Sequence, residues 1–286
     1  MREGEIALHD GRTVGYADCG GSHATAALWC HGGPGSRLEP AAVAEAAASV
    51  GVRLIGIDRP GYGRSTPHPG RTIASWVPDA LAVADHLGLP RFALVGVSTG
   101  GAYALAVAAQ APARVLAVLA CCALTDMRWE EGKAIMGSEG TRDIWSAPDR
   151  ASALVLAENV FGHDGSKMLS SAAGPGTLPP ADLALFNDPA FMAGMISAFP
   201  AMFANGVQAY VDDRLADGPG WGSFDVARIR CPVTVLHGER DSVVPVAHAR
   251  HTAQIVPGAK LRVVPELGHF SIMTKIIEEI AALAPR

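Results

Sequence analysis

A chain of 286 residues, 49% hydrophobic and 18% charged, is long enough to bury one large core. Its net charge of −5 comes from 23 basic and 28 acidic residues spread without blocks of either sign, which argues against a nucleic-acid partner. No apolar stretch approaches the roughly 20 residues of a membrane span. No signal-peptide pattern follows Met1-Arg2-Glu3-Gly4-Glu5, so a cytoplasmic protein without a membrane partner is expected.

The five cysteines are odd in number and two of them, Cys121 and Cys122, are adjacent. They make a poor disulfide framework, and reduced thiols are expected. No CxxC pair or Cys/His cluster has the spacing of zinc ligands, so no metal is expected.

In chain order, Glu5–Leu8 and Thr13–Ala17 read as a hairpin turning at His9-Asp10-Gly11-Arg12. Ala26–Cys30 is a short apolar strand running into His31-Gly32-Gly33-Pro34-Gly35. Ala41–Val50 reads as a helix, Arg53–Ile57 as a strand ending at Asp58, and Ser75–Leu87 as a helix with Gly88 beyond it. Phe92–Val97 is a continuous apolar strand, Thr99–Gln110 an alanine-rich helix, and Val115–Cys121 another buried strand. The pattern resumes late, with strands at Val233–Leu236 and Leu261–Val264 and a closing helix at Lys275–Leu283. Short apolar runs alternating with helices predict an α/β fold whose mostly parallel, doubly wound sheet is covered on both faces.

From Asp126 to Val226 that rhythm disappears. The expected organisation is a core domain of residues 1–125 and 227–286, with 126–226 inserted as a helical subdomain. Within the insertion, Phe191, Met192, Met195, Ile196, Phe199 and Phe203 form an apolar helical stripe, which Pro200 is expected to kink or end.

Gly96-Val97-Ser98-Thr99-Gly100-Gly101 fits G-x-S-x-G, placed between a buried strand and a helix. That turn holds a serine in a strained conformation, and glycines are required at 96 and 100 because backbone passes close by. The helix start aims free N–H groups and a positive dipole end at the reacting oxygen. A serine hydroxyl is a weak nucleophile and needs a base, which in turn needs an orienting acid. His269 follows the last strand in Glu266-Leu267-Gly268-His269-Phe270, and Asp241 follows the strand before it in His237-Gly238-Glu239-Arg240-Asp241. Loops after parallel strands gather on one edge, so Ser98, Asp241 and His269 can meet there. Asp126 is a rival for the acid. An oxyanion pocket would use the N–H of Thr99 and one from the His31–Gly35 loop: Gly33, or alternatively Gly32. His31 is read as a prop for that loop.

Together, His31–Gly35, Asp58–Ser65, Gly96–Gly101, Gly238–Asp241 and Gly268-His269 resemble the blocks of α/β-hydrolase superfamily enzymes. The resemblance implies a serine hydrolase, with the insertion as the cap over its substrate pocket. His31–Ser36 is similar to the oxyanion block of proline iminopeptidases, although Thr99 stands where those enzymes usually carry Trp. Their amine-binding acids have possible counterparts in Glu130, Glu131 and Glu139. Ser98-Thr99-Gly100-Gly101 looks more like esterases and cofactor-free perhydrolases. The leading expectation is hydrolysis of a small or medium apolar carboxylic ester without a cofactor. An aminopeptidase, a carbon–carbon bond hydrolase and a non-catalytic small-molecule receptor are the alternatives.

Overall fold

The computed structural model describes residues 1–21, 25–136, 139–171 and 178–283. Its strands are β1 (Arg2–Ala7), β2 (Thr13–Asp18), β3 (Thr25–Cys30), β4 (Val52–Ile57), β5 (Phe92–Val97), β6 (Val115–Cys121), β7 (Ala204–Val207), β8 (Val233–Gly238) and β9 (Lys260–Val264). All but β7 form one sheet in the order β1-β2-β4-β3-β5-β6-β8-β9. The first two junctions, β1 with β2 and β2 with β4, are antiparallel; every later one is parallel. The α/β expectation holds. At the β1–β2 turn Gly11 takes φ +85°, the left-handed conformation that glycine adopts without strain.

Helices α1 (Ala44–Ser49), α2 (Val77–His86) and α3 (Gly100–Gln110) lie between the early strands. The stretch after β6 carries α4 (Glu130–Ala134), α5 (Glu139–Trp145), α6 (Arg150–Phe161), α7 (Ser166–Ser171), α8 (Pro180–Phe186), α9 (Pro189–Met202) and α10 (Gln208–Asp217). Helices α11 (Ala247–Ile255) and α12 (Ile276–Ala281) close the fold. Three of the expected helices start instead as 3₁₀ turns: Glu39–Val43 before α1, Ala74–Trp76 before α2 and Ser271–Lys275 before α12. Helix α9 is not ended by Pro200: it runs on to Met202 and stops there. Proline so near the C-terminus removes one ladder bond without breaking a long helix.

Alternating side chains along each strand divide the core into two layers. Leu28, Cys30, Ile55, Ile57 and Leu94 pack with α2 and α3, while Ala27, Trp29, Leu54, Val95 and Leu119 pack with α1 and α12. A third cluster lies between β6 and β8 in sequence, built from Ile144, Ala153, Ala157, Met202, Phe203 and Val211. Helix α10 bridges the layers, with Tyr210 and Val211 in that third cluster and Ala216 in the sheet's core. Among the described residues no helix is long and apolar enough to cross a membrane.

Candidate active site

The parallel register aligns Val97 with Cys121, Cys121 with Leu236, and Gly238 with Val264, so β5, β6, β8 and β9 end at one edge. Ser98 is the first residue beyond β5. Its φ of +52° lies in the left-handed region, costly for a residue with a Cβ. The strain is held by the Ser98 N–H donating to the Cys121 carbonyl at 2.9 Å, and by its own carbonyl accepting from Gly101 and Leu124. The two flanking glycines are obligatory. A Cβ on Gly96 would stand 2.5 Å from the Gly100 carbonyl oxygen, and one on Gly100 would strike the Cys30 carbonyl. Helix α3 then leads away from the serine, its N-terminus at the turn.

Asp241 lies three residues beyond β8 and His269 five beyond β9. The His269 Nδ1 and Asp241 Oδ2 are 2.8 Å apart, with both residues buried. Asp241 Oδ1 accepts from the N–H groups of Val243 and Val244 at 2.9 and 2.8 Å, which fixes the carboxylate's orientation. With Nδ1–H donated to Asp241, Nε2 of His269 is left as the proton acceptor. Burial would raise the Asp241 carboxyl, but His269 and His237 outweigh it and hold it well below the carboxylate range. Burial disfavours the imidazolium of His269, and the Asp241 carboxylate more than offsets that, so the pKa stands raised. Burial raises the Cys122 thiol and the Glu39 carboxyl, and a protonated His269 would oppose both. His237 is a contributor that sequence reasoning passed over: its Nε2 sits 3.2 Å from Asp241 Oδ2 and 2.8 Å from the Val244 carbonyl.

On the other side of Ser98 lies the His31–Gly35 loop. The Gly32 N–H donates to Glu39 Oε2 at 2.9 Å, which removes Gly32 as an oxyanion donor. Among the described residues no hydrogen bond takes the N–H of Gly33 or of Thr99. His31 is buried, its Nε2 accepting from the Arg59 N–H at 3.1 Å and its Nδ1 lying 2.6 Å from the Gly32 carbonyl. It props the loop, as expected. Arg59, also buried, donates to the carbonyls of His31 and Gly32 and pairs with Asp213 of α10 at 2.8 Å.

Other sequence candidates are placed elsewhere. Asp126 is committed to Arg128 and to the Trp221 N–H at 3.0 Å, with no bond to His269. Glu130 is exposed and pairs with Lys133 at 2.8 Å, and Glu131 is exposed as well. The Glu139 side chain lies outside the described residues. The apolar stripe divides. Met195, Phe199 and Phe203 pack into the cluster around Ile144, whereas Phe191 meets Phe186, which stands edge-on at 4.9 Å to Phe270. Phe270 is in turn edge-on to His269.

A second overlooked residue is Asp182 of α8, fully buried. It accepts from the Ser271 N–H at 2.8 Å and the Ser271 hydroxyl at 2.5 Å, tying α8 to the His269 loop. Asp182→Ala leaves those donors unpaired and is expected to destabilise the fold by about 1–3 kcal/mol. Asp182→Asn, which keeps an acceptor there, should recover most of that loss in urea denaturation.

Among the described residues no group of three or more His, Cys, Asp or Glu is placed to hold a metal ion. What the edge of the sheet offers is a strained serine, a carboxylate-oriented histidine and two open backbone N–H groups. A family model described as the alpha/beta hydrolase fold matches residues 28–276. The chain belongs to the α/β hydrolase fold family. It is 28% identical to the 2-hydroxymuconate semialdehyde hydrolase of Pseudomonas putida, covering 86% of this chain and 80% of that one. Similarity to the proline iminopeptidase of Xanthomonas citri is 26% identity over 94% and 90% of the two chains. Among solved structures, the enol-lactonase of Burkholderia xenovorans LB400 superposes with a TM-score of 0.74 at 21% identity, covering 98% of this chain and 99% of the other. These relatives cleave different bonds, so the hydrolase family is fixed and the bond is not.

Proposed function

We propose that this α/β hydrolase cleaves a small or medium apolar carboxylic ester through an acyl-enzyme on Ser98. The observation that carries the reading is the buried Asp241–His269 bond, with the strained Ser98 turn at the same sheet edge. The Ser98 hydroxyl adds to the ester carbonyl while His269 Nε2 takes its proton. Asp241 stabilises the imidazolium, and the N–H groups of Gly33 and Thr99 receive the oxyanion. His269 then protonates the departing alcohol, and water repeats the sequence to release the acid. Residues 126–226 would serve as the cap. The edge-on series Phe270, Phe186 and Phe191 supports an apolar substrate beside His269.

Exposure of Glu130 and Glu131 weighs against an amine-recognising aminopeptidase. Hydrolysis of a carbon–carbon bond is the second reading, favoured by the similarity to the 2-hydroxymuconate semialdehyde hydrolase. A fluorophosphonate probe should label the wild type at Ser98 and leave Ser98→Ala unlabelled. Wild type not treated with the probe should turn over p-nitrophenyl esters and spare proline p-nitroanilide. Wild type that resists the probe and hydrolyses no ester would instead be a receptor.

A further inference from the structure

Beneath the His31–Gly35 loop, α10 presents three successive charged residues to the interior: Asp212, Asp213 and Arg214, each no more than 3% exposed. Asp213 is shared by Arg59 and Arg71 and also accepts from the hydroxyls of Tyr62 and Tyr103. Asp212 is matched by Arg150 at 2.6 Å. Arg214 takes a different course. Its Nη2 donates to Thr99 Oγ1 at 2.5 Å, and a Cβ built on Gly33 would lie 3.3 Å from that same nitrogen and 2.7 Å from Thr99 Oγ1. One guanidinium nitrogen thus sits where the residues bearing the two open N–H groups come together. The planar group is held between Trp145 and Tyr210, 4.7 and 4.9 Å from their ring centres, and is tethered by Asp217 at 2.8 Å.

We infer that Arg214 is a positioning residue of the oxyanion site, bracing Thr99 against Gly33 and setting a fixed positive charge behind their N–H groups. The inference rests on the serine-hydrolase reading and deepens it. When Ser98 Oγ bonds to the carbonyl carbon, the C=O electron pair moves onto oxygen and the hydroxyl proton passes to His269. Negative charge exists on that oxygen only in the tetrahedral species. A guanidinium fixed nearby therefore stabilises the tetrahedral species more than the bound ester. Packing between aromatic faces holds the group in place beforehand, so no reorganisation is needed when the charge appears. Burial keeps it from being screened by salt. Asp217 is its ion-pair partner, with a carboxyl that burial raises to about 6, Arg214 pulling down and Asp213 pushing up. Nε of Arg214 is buried with no partner among the described residues.

The test compares Arg214→Met, Arg214→Lys and the isosteric Thr99→Val on a p-nitrophenyl ester. A trifluoromethyl ketone, which forms an anionic tetrahedral adduct on a serine, serves as inhibitor. Arg214→Met is expected to lower kcat about 10- to 100-fold with KM little changed, and to weaken the inhibitor in proportion. Arg214→Lys, which keeps the charge and loses the fork, should restore part of both. Thr99→Val should lose kcat to a smaller extent, since the charge remains. A folded Arg214→Met with unchanged kcat overturns the inference, as does a kcat loss with undiminished inhibitor affinity or equal behaviour of Lys and Met. Should Arg214→Met fail to fold, Thr99→Val decides: wild-type kcat and inhibition there overturn the brace. Failure of the underlying reading is seen separately, as wild type that the fluorophosphonate probe does not label.

Discussion

Ser98→Ala is expected to lower kcat on a p-nitrophenyl ester by about 10⁶, and His269→Ala by a similar factor. The double variant should be no worse than either alone, because nucleophile and base act in one step. Asp241→Asn should cost less, about 10⁴, and for a specific reason. An amide can donate to His269 Nδ1, which turns the imidazole to the tautomer with hydrogen on Nε2, facing the serine. The pH profile separates this from general damage. The working form has His269 neutral, and its pKa stands above the ordinary value because the effect of Asp241 exceeds that of burial. The acid limb of kcat/KM is therefore expected above about 6.5 in wild type. In Asp241→Asn the raising charge is gone, burial dominates, and the limb should move to lower pH. A limb that stays put would mean that the group titrating is not His269.

What was legible in the sequence is what local chemistry determines. Phe92–Val97 and Val115–Cys121 are continuous apolar runs bounded by turn residues, and β5 and β6 take those limits. Gly96 and Gly100 flank the nucleophile because backbone crowds them, a need that shows in the sequence as glycine. Asp241 and His269 could be placed because a parallel sheet brings its loops to one edge. Contacts between distant segments left no such mark. Nothing in the run Asp212-Asp213-Arg214 signals burial, yet Asp213 is buried with Arg59 and Arg71, some 150 residues away. Asp182 stands in the first turn of α8, and nothing beside it in the sequence marks it as buried. Its partner, Ser271, lies beyond the last strand. Helix α11, Ala247–Ile255, has few large apolar residues to mark it in the sequence.

Asp213 is the residue whose loss should cost the fold most. It is fully buried and accepts from Arg59, Arg71, Tyr62 and Tyr103. Burial alone would raise its carboxyl, but Arg59 and Arg71 outweigh that and hold it far below the ordinary range. Asp213→Ala leaves two buried guanidiniums without their shared counter-charge, and a loss of about 3–5 kcal/mol is expected in urea denaturation. Asp213→Asn keeps the shape and some acceptor capacity, so it isolates the charge. Because the folded pKa is depressed, the stabilisation from ionised Asp213 is present at neutral pH and is lost as pH falls toward and below about 4. Wild type should weaken over that range, and the Asn variant should lack that part of the slope. The same substitution reaches the site. Arg59 holds the carbonyls of His31 and Gly32, so releasing it from Asp213 loosens the loop that presents the Gly33 N–H. Asp213→Asn should therefore lower kcat at temperatures where the variant is still fully folded. Undiminished kcat under those conditions would show that the loop keeps its shape without the buried pair.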